Sequence, residues 1–220
     1  MVVGVIGVLV ERLLIRWLHG RMIDTLLATW GLSLLLIGLV TSIFGASTAT
    51  TISPPLGVVS IGDYTSSAYE LLLIGITVAL CLIIFLTLKL TRLGLIARGT
   101  MQNEEMASAL GVSTPRIYML TFGLGAAISG FAGGLLAPVT GVLPTIGVAY
   151  IAKPFITVIS GGAVILAGTV SASAVLGGVN GIVSFLTGPT IGEVALLFAA
   201  ILLLRLMPRG ITGRFFRKGL

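Results

Sequence analysis

Charged residues are scarce in this sequence. Asp, Glu, Lys and Arg make up 9% of its 220 residues, whereas hydrophobic residues make up 56%. A soluble domain carries about 25% charged residues, so this chain lacks the polar surface that would face water on all sides. No charged side chain occurs in residues 25–62, 71–88, 117–152 and 154–192. Because a membrane-spanning helix needs roughly 20 apolar residues, the sequence predicts a protein embedded in a membrane.

Reactive groups are equally few. Cys81 is the only cysteine and His19 the only histidine, which excludes an intrachain disulfide and a His/Cys metal site. We expect Cys81 to be a small apolar residue of a helix, and His19 to lie in a loop near the lipid headgroups. An enzyme within the membrane would need paired carboxylates, a His/Cys cluster or a serine with a base at membrane depth. The sequence offers none of these, and therefore predicts no enzyme, no catalytic residue, no metal and no cofactor.

The basic residues are grouped, and the grouping predicts the topology. Twelve of the thirteen lie in residues 11–21, 89–116 and 205–220. Short loops rich in Lys and Arg face the cytoplasm, so we expect these three regions, and with them the C-terminus, to be cytoplasmic. Although the net charge is +6, this position at the ends of apolar segments indicates membrane topology and membrane lipid, not a nucleic-acid partner.

The apolar segments predict an all-α fold, a polytopic transmembrane helix bundle formed by one domain, residues 1–220. The expected spans are a partial one at 1–10, followed by 22–44, 70–90, 116–137 and 193–206. Residues 45–69 are expected to form an irregular external segment because they are rich in Ser and Thr and contain Pro54 and Pro55. An outer connection is expected to begin at Pro138.

One apolar stretch must begin and end on the outer side if the C-terminus is cytoplasmic. Residues 150–161 and 165–186 satisfy this as a broken pair meeting at Gly161 and Gly162. The pair is either a full hairpin or a re-entrant half-helix followed by a helix that leaves the membrane. Broken helices expose backbone dipoles to a cavity. A translocation path is therefore one interpretation, and a plain helix turn the other, for Thr157, Ser160, Gly161 and Gly162.

Small residues recur at a spacing of four, which places them on one helical face. Such faces let transmembrane helices approach closely. The alternative interpretation is that these faces slide during transport or line a path. The three rows are Gly125, Ser129 and Gly133; Gly130 and Gly134 with Ala126; and Ser173, Gly177 and Gly181.

The segment 91–115 predicts one short cytoplasmic helix between two spans. Asn103 is a suitable N-cap, two glutamates follow it in the first turn, where a helix favours negative charge, and Gly111 suits the C-terminal end. Thr114 is expected to cap the next span. Because so short a helix is only marginally stable in water, we expect it to pack against another surface. It is either an amphipathic helix on the lipid surface or a coupling helix inserted into a cytoplasmic partner.

A family resemblance is carried by residues 102–138, QNEEMASALGVSTPRIYMLTFGLGAAISGFAGGLLAP. This run resembles the coupling loop and following helix of bacterial ABC importer permeases of the branched-chain amino acid type, and particularly of their urea-transport relatives. The likeness continues in TLLATWGLSLLLIGLVTSIFG, YIAKPFITVISGGAVILAGTV and RLMPRGITG. Family members are usually longer at the N-terminus, so we expect one or more spans to be missing. Lys153 stands where urea-type relatives tend to carry an acidic residue.

The resemblance implies a permease subunit of an importer in the bacterial inner membrane. Its partners would be cytoplasmic ATPase subunits, a second homologous permease subunit and a periplasmic solute-binding protein, and its solute a branched-chain amino acid, urea or a short amide. No ATP-binding G-x-x-x-x-G-K-[ST] motif occurs in this chain. An ATP-independent secondary transporter or channel is the alternative. The residues implied to contact the ATPase are Asn103, Glu104, Glu105, Met106, Ala107, Leu110 and Gly111.

Two charged residues flank the broken pair. Lys153 is expected to extend its ammonium group to the membrane surface, because a lysine at the centre of a spanning helix costs roughly 2.5–3.5 kcal/mol. Glu193 is expected to be solvated and structural.

Overall fold

A computed structural model describes residues 2–18, 20–45, 57–61, 64–162 and 165–207. Most of these residues are helical, and the predicted all-α fold is confirmed. A short 3-10 helix, Ile15–Leu18, follows the first helix. The α-helices are α1 (Val2–Leu13), α2 (Met22–Phe44), α3 (Ala68–Leu90), α4 (Arg92–Gln102), α5 (Glu104–Ala109), α6 (Thr114–Thr140), α7 (Ile146–Gly161), α8 (Ile165–Thr187) and α9 (Pro189–Leu206).

Five of these helices are long and apolar enough to cross a membrane. They also carry large apolar side chains on their outer faces; Phe44, for example, is 78% exposed. Helix α7 has 16 residues, or about 24 Å, and is shorter than the hydrocarbon core of about 30 Å. The candidate spans are Ile23–Phe44, Ala68–Leu90, Thr114–Thr140, Ala167–Thr187 and Pro189–Leu206.

Two described parts of the segment before α3, residues 58–61 and 64–67, are not irregular as expected. Strands β1 (Val58–Ile61) and β2 (Tyr64–Ser67) pair in an antiparallel ribbon, because Val, Ile, Tyr and Thr favour extended structure. Helix α3 then begins directly after β2, and the hydroxyl of Ser67 accepts the backbone N–H of Tyr69 at 3.3 Å. The prediction is therefore wrong for the two strands.

Two helix boundaries also differ from the expected ones. Helix α6 begins at Thr114 with Ser113 in the cap position and no side-chain cap, so Thr114 is the first helical residue and not the cap. Pro138 lies inside α6, which continues to Thr140. A proline so close to the end removes one backbone hydrogen bond from the last turns only, and membrane helices tolerate proline. The predictions made for His19, for residues 46–56 and 62–63 of the external segment, and for residues 208–220 lie outside the described residues.

The chain divides into two compact units, Met1–Pro144 and Thr145–Leu220. In the first unit α1 packs along α6 through small residues. A Cβ atom placed on Gly4 would lie 2.9 Å from the Cβ of Ala127, so the two backbones are nearly in contact. The Tyr69 hydroxyl donates to the carbonyl of Leu135 at 2.8 Å and joins α3 to α6. That the chain forms a single domain stays a prediction.

The second unit is built from α7, α8 and α9. Its core is formed by Leu176, Leu196 and Ala200, all at most 7% exposed. Helices α7 and α8 approach at two glycines: a Cβ placed on Gly161 would lie 2.7 Å from the carbonyl carbon of Gly168. Because backbone atoms cannot rotate away as a side chain can, glycine is required on both sides of this contact.

We predict that Gly168→Ala lowers the stability of the second unit, whereas Gly178→Ala on the same helix does not. An added methyl at Gly168 meets the backbone of Gly161, while nothing lies within 4 Å of a Cβ at Gly178. Overpacking of this kind costs about 1–3 kcal/mol, and a Gly→Ala change in open space within a helix gains up to about 1 kcal/mol. Thermal unfolding of the two variants in detergent measures the difference; equal midpoints would contradict the close contact.

Candidate functional site

The predicted cytoplasmic segment contains two helices, α4 and α5, and not one. Helix α4 begins after Thr91, whose hydroxyl accepts the backbone N–H of Gly94 at 3.2 Å. Within α4 the guanidinium Nε of Arg98 donates to the backbone carbonyl of Gly94 at 3.2 Å. The hydroxyl of the buried Thr100 donates to the backbone carbonyl of Ile96 at 2.9 Å. The expectation of a single helix is therefore wrong, because a second helix, α4, begins twelve residues before α5.

Gly94 determines how α4 leaves α3. A Cβ at this position would collide with the backbone of Leu88, in the last turn of α3. Only glycine lets the chain fold back so closely at this corner. The segment 92–111, which we call the α4–α5 segment, is thus held directly against the end of a candidate span.

Helix α5 is capped at both ends as its sequence predicts. The side-chain oxygen of Asn103 accepts the backbone N–H of Met106 at 2.9 Å, and the glutamates Glu104 and Glu105 occupy the first turn. Gly111 follows the helix with a φ of 85°, a left-handed conformation that costs other residues roughly 1–2 kcal/mol.

Helix α5 presents an apolar end and is also tied to α6. Ala107 is buried, but Met106 and Leu110 are 59% and 78% exposed. The Tyr118 hydroxyl of α6 donates to the carboxylate of Glu104 at 3.1 Å. The segment therefore combines an exposed apolar surface with a direct polar link to a candidate span, an arrangement that can transmit a displacement.

The broken helix pair forms a tight elbow between α7 and α8. Ser160 and Gly161 are buried, and the hydroxyl of Ser160 has no hydrogen-bond partner among the described residues. The hydroxyl of the half-buried Thr157 donates to the carbonyl of Lys153 at 2.7 Å. Gly162 ends α7 with φ 82° and ψ −151°, a region open essentially to glycine alone. The structure thus brings all four residues together, two of them inside the contact between helices.

Lys153 forms an ion pair that the sequence analysis did not predict. Its Nζ lies 2.8 Å from Oε1 of Glu193 on α9, and 5.6 Å from the centre of the Tyr150 ring. A carboxylate on a neighbouring helix thus satisfies the charge within the unit, and a position of the ammonium group at the membrane surface stays a prediction. Among the described residues this is the only ion pair that joins two helices; the other joins Arg21, the N-cap residue of α2, to Asp24 in the first turn of that helix.

The three rows of small residues fall on different surfaces. Gly130 packs on α1, where its Cβ would meet Val3 at 2.6 Å, but no atom lies within 4 Å of a Cβ at Gly125, Gly133 or Gly134. Gly177 and Gly181 are equally open, and Ser129 and Ser173 are both exposed. The rows stay predictions of packing faces.

Several contacts escaped sequence reasoning because they join distant parts of the chain. The ion pair spans 40 positions and the Tyr118–Glu104 bond 14. One signal was available: Lys153 and Glu193 are the only Asp, Glu, Lys or Arg between Arg116 and Arg205, and two isolated opposite charges in apolar helices favour pairing. In the described part of the chain, no group of three or more His, Cys, Asp or Glu residues is arranged to hold a metal.

Comparison with known proteins gives a consistent picture. A family described as branched-chain amino acid transport system / permease component matches residues 1–207. The chain is 35% identical, over 136 residues, to the high-affinity branched-chain amino acid transport system permease protein LivH of Escherichia coli K12. It is 24% identical, over 237 aligned positions, to a probable branched-chain amino acid transport permease protein LivH of Methanocaldococcus jannaschii. No solved structure matches the chain.

The coverage of these relatives is uneven. The alignment with the Escherichia coli protein takes in 61% of this chain and 44% of the relative, whereas that with the Methanocaldococcus protein takes in 99% and 73%. The chain therefore spans less than half the length of the bacterial relative. Both relatives are named as transport permeases, which agrees with the expectation that the chain is not an enzyme.

We predict that Gly94→Ala loosens the α4–α5 segment, whereas Gly99→Ala in the same helix does not. The new methyl collides with the Leu88 backbone in the first variant and meets nothing within 4 Å in the second. Limited trypsin digestion of membranes reports the change at Arg98, which should be cut about tenfold faster when α4 opens locally. Equal cleavage of both variants would contradict the role of this corner.

Proposed function

Because this chain belongs to the family of permease components of branched-chain amino acid transport systems, we propose that it is the membrane-spanning permease subunit of an ABC importer. It is a multi-pass membrane protein. It carries a branched-chain amino acid across the bacterial inner membrane, with urea or a short amide as the alternative solute, and its C-terminus is cytoplasmic. The energy comes from separate ATPase subunits, and the solute from a periplasmic binding protein.

The observation that carries the proposal is the exposed apolar end of α5. Met106 lies in a six-residue helix and Leu110 directly follows it as the C-cap residue; both are exposed, large and apolar. A helix of this length is too short to be stable by itself in water. Burial against a protein partner stabilises such a helix and removes the apolar side chains from water. The cytoplasmic ATPase is that partner. The residues of the contact are Asn103, Glu104, Glu105, Met106, Ala107, Leu110 and Gly111.

Movement passes from the ATPase to the spans through two connections. The Glu104–Tyr118 hydrogen bond links α5 to α6, and the close contact of Gly94 with Leu88 links α4 to α3. A displacement of α5 therefore shifts two candidate spans together. The second homologous permease subunit provides the other wall of the path, and the elbow of Thr157, Ser160, Gly161 and Gly162 lies along it.

We predict that Glu105→Arg and Gly111→Pro leave the protein in the membrane but uncouple transport from ATP hydrolysis. Arginine reverses the charge in the first turn of α5, and proline, fixed near −65°, does not fit the φ of 85° at Gly111. Uptake of radiolabelled leucine by the assembled transporter should fall about tenfold. This factor corresponds to a loss of roughly 1.4 kcal/mol in the coupling free energy between ATP hydrolysis and transport.

Glu105→Gln serves as the control, because it removes the charge without reversing it. Normal ATP-driven uptake by the Glu105→Arg variant would rule out the coupling role. Uptake by the wild-type permease without any ATPase subunit would favour a secondary transporter or channel.

A further inference from the structure

The Lys153–Glu193 pair brings two opposite charges together in an otherwise apolar region. Both side chains remain accessible, at 38% for Lys153 and 60% for Glu193. Their neighbours along the same helices are exposed apolar residues, among them Phe155 and Val194. Charge facing hydrocarbon is strongly unfavourable, and charged groups within spans face a cavity or a partner. The exposed side of this pair therefore faces a polar space.

The depth of the pair follows from α9. Glu193 lies twelve residues before Arg205 on this helix, or about 18 Å along the axis. With Arg205 at the cytoplasmic boundary, as the positive-inside rule requires, the pair lies in the outer half of a hydrocarbon core about 30 Å thick. A solute released on the outer side meets this level early in its passage.

We propose that Lys153 and Glu193 bind the head group of a zwitterionic α-amino acid as it enters the path. The inference rests on the proposed function and selects among its solutes. The α-carboxylate accepts hydrogen bonds from Nζ of Lys153, and the α-ammonium donates to the carboxylate of Glu193. Each charge of the solute meets its opposite, and the site stays neutral whether empty or filled.

The geometry accounts for both the empty and the occupied state. Without solute the two side chains satisfy each other at 2.8 Å, so neither charge is left unpaired in the membrane. An entering zwitterion exchanges this one contact for two. The centre of the Tyr150 ring lies 5.6 Å from Nζ of Lys153. This cation–π contact keeps the ammonium group of Lys153 in place when its carboxylate partner turns to the solute. Urea and short amides carry no formal charges and cannot replace the ion pair in this way.

A purely structural ion pair would hold α7 to α9 without touching the solute. The two roles differ in their response to exchanging the charges. In the double variant Lys153→Glu with Glu193→Lys a structural pair re-forms. A head-group site also re-forms, but it binds the zwitterion in reverse, so that the side chain of the solute points away from its normal direction.

The experiment measures uptake of radiolabelled leucine by the complete transporter in proteoliposomes, with the loaded binding protein in excess. The variants are Lys153→Gln, Glu193→Gln and the exchanged double variant. Glu70→Gln, which removes an exposed carboxylate at the start of α3, is the matched control. The midpoint of thermal unfolding, measured for each variant in detergent, reports whether that variant is folded. We expect leucine uptake to fall about tenfold or more in both single variants and in the folded double variant.

Each outcome bears on a separate claim. If the wild-type transporter takes up leucine and the double variant does so at a nearly normal rate, the pair is structural and the inference is overturned. Normal uptake by both single variants would do the same. Failure of the assembled wild-type transporter to take up leucine would instead overturn the branched-chain amino acid function, and the head-group site with it.

Discussion

The hydrocarbon core of a bilayer cannot solvate an unpaired charge, and the arrangement of this protein depends on that constraint. It explains why most basic residues lie at the ends of apolar segments. It also explains why the two charges within residues 117–204 meet each other across two helices. Because an isolated charge is costly in hydrocarbon, a pair of opposite charges in two otherwise apolar helices marks a place of functional interest.

Close backbone contact takes the place of a large buried core. Among the described residues few apolar side chains are fully buried, since lipid surrounds them as readily as protein does. The helices instead meet at Gly4 and Gly130 on the α1–α6 contact and at Gly161 and Gly168 on the α7–α8 contact. Van der Waals contact between backbones supplies the stabilisation that the hydrophobic effect gives a soluble protein. The elbow and the α4–α5 segment both depend on contacts of this kind.

The two candidate sites have different physical characters. The α4–α5 segment exposes apolar side chains where the topology predicts water, which indicates a protein partner. The Lys153–Glu193 pair exposes charge where the topology predicts hydrocarbon, and the proposed head-group site rests on this observation. Each is recognisable because its surface does not match its surroundings. In the proposed function the first site receives energy and the second receives the solute.

The sequence by itself determined the membrane class, the all-α fold and the Asn103 cap of α5, because hydropathy and capping are local properties of a short stretch of chain. Its prediction of one cytoplasmic helix failed at Gly94, where the reason for glycine lies in the backbone of another helix. Only the tertiary structure decided that Lys153 pairs with Glu193 and that Gly161 meets Gly168. Such contacts depend on how helices cross, and in an apolar chain many crossings satisfy the same pattern of residues.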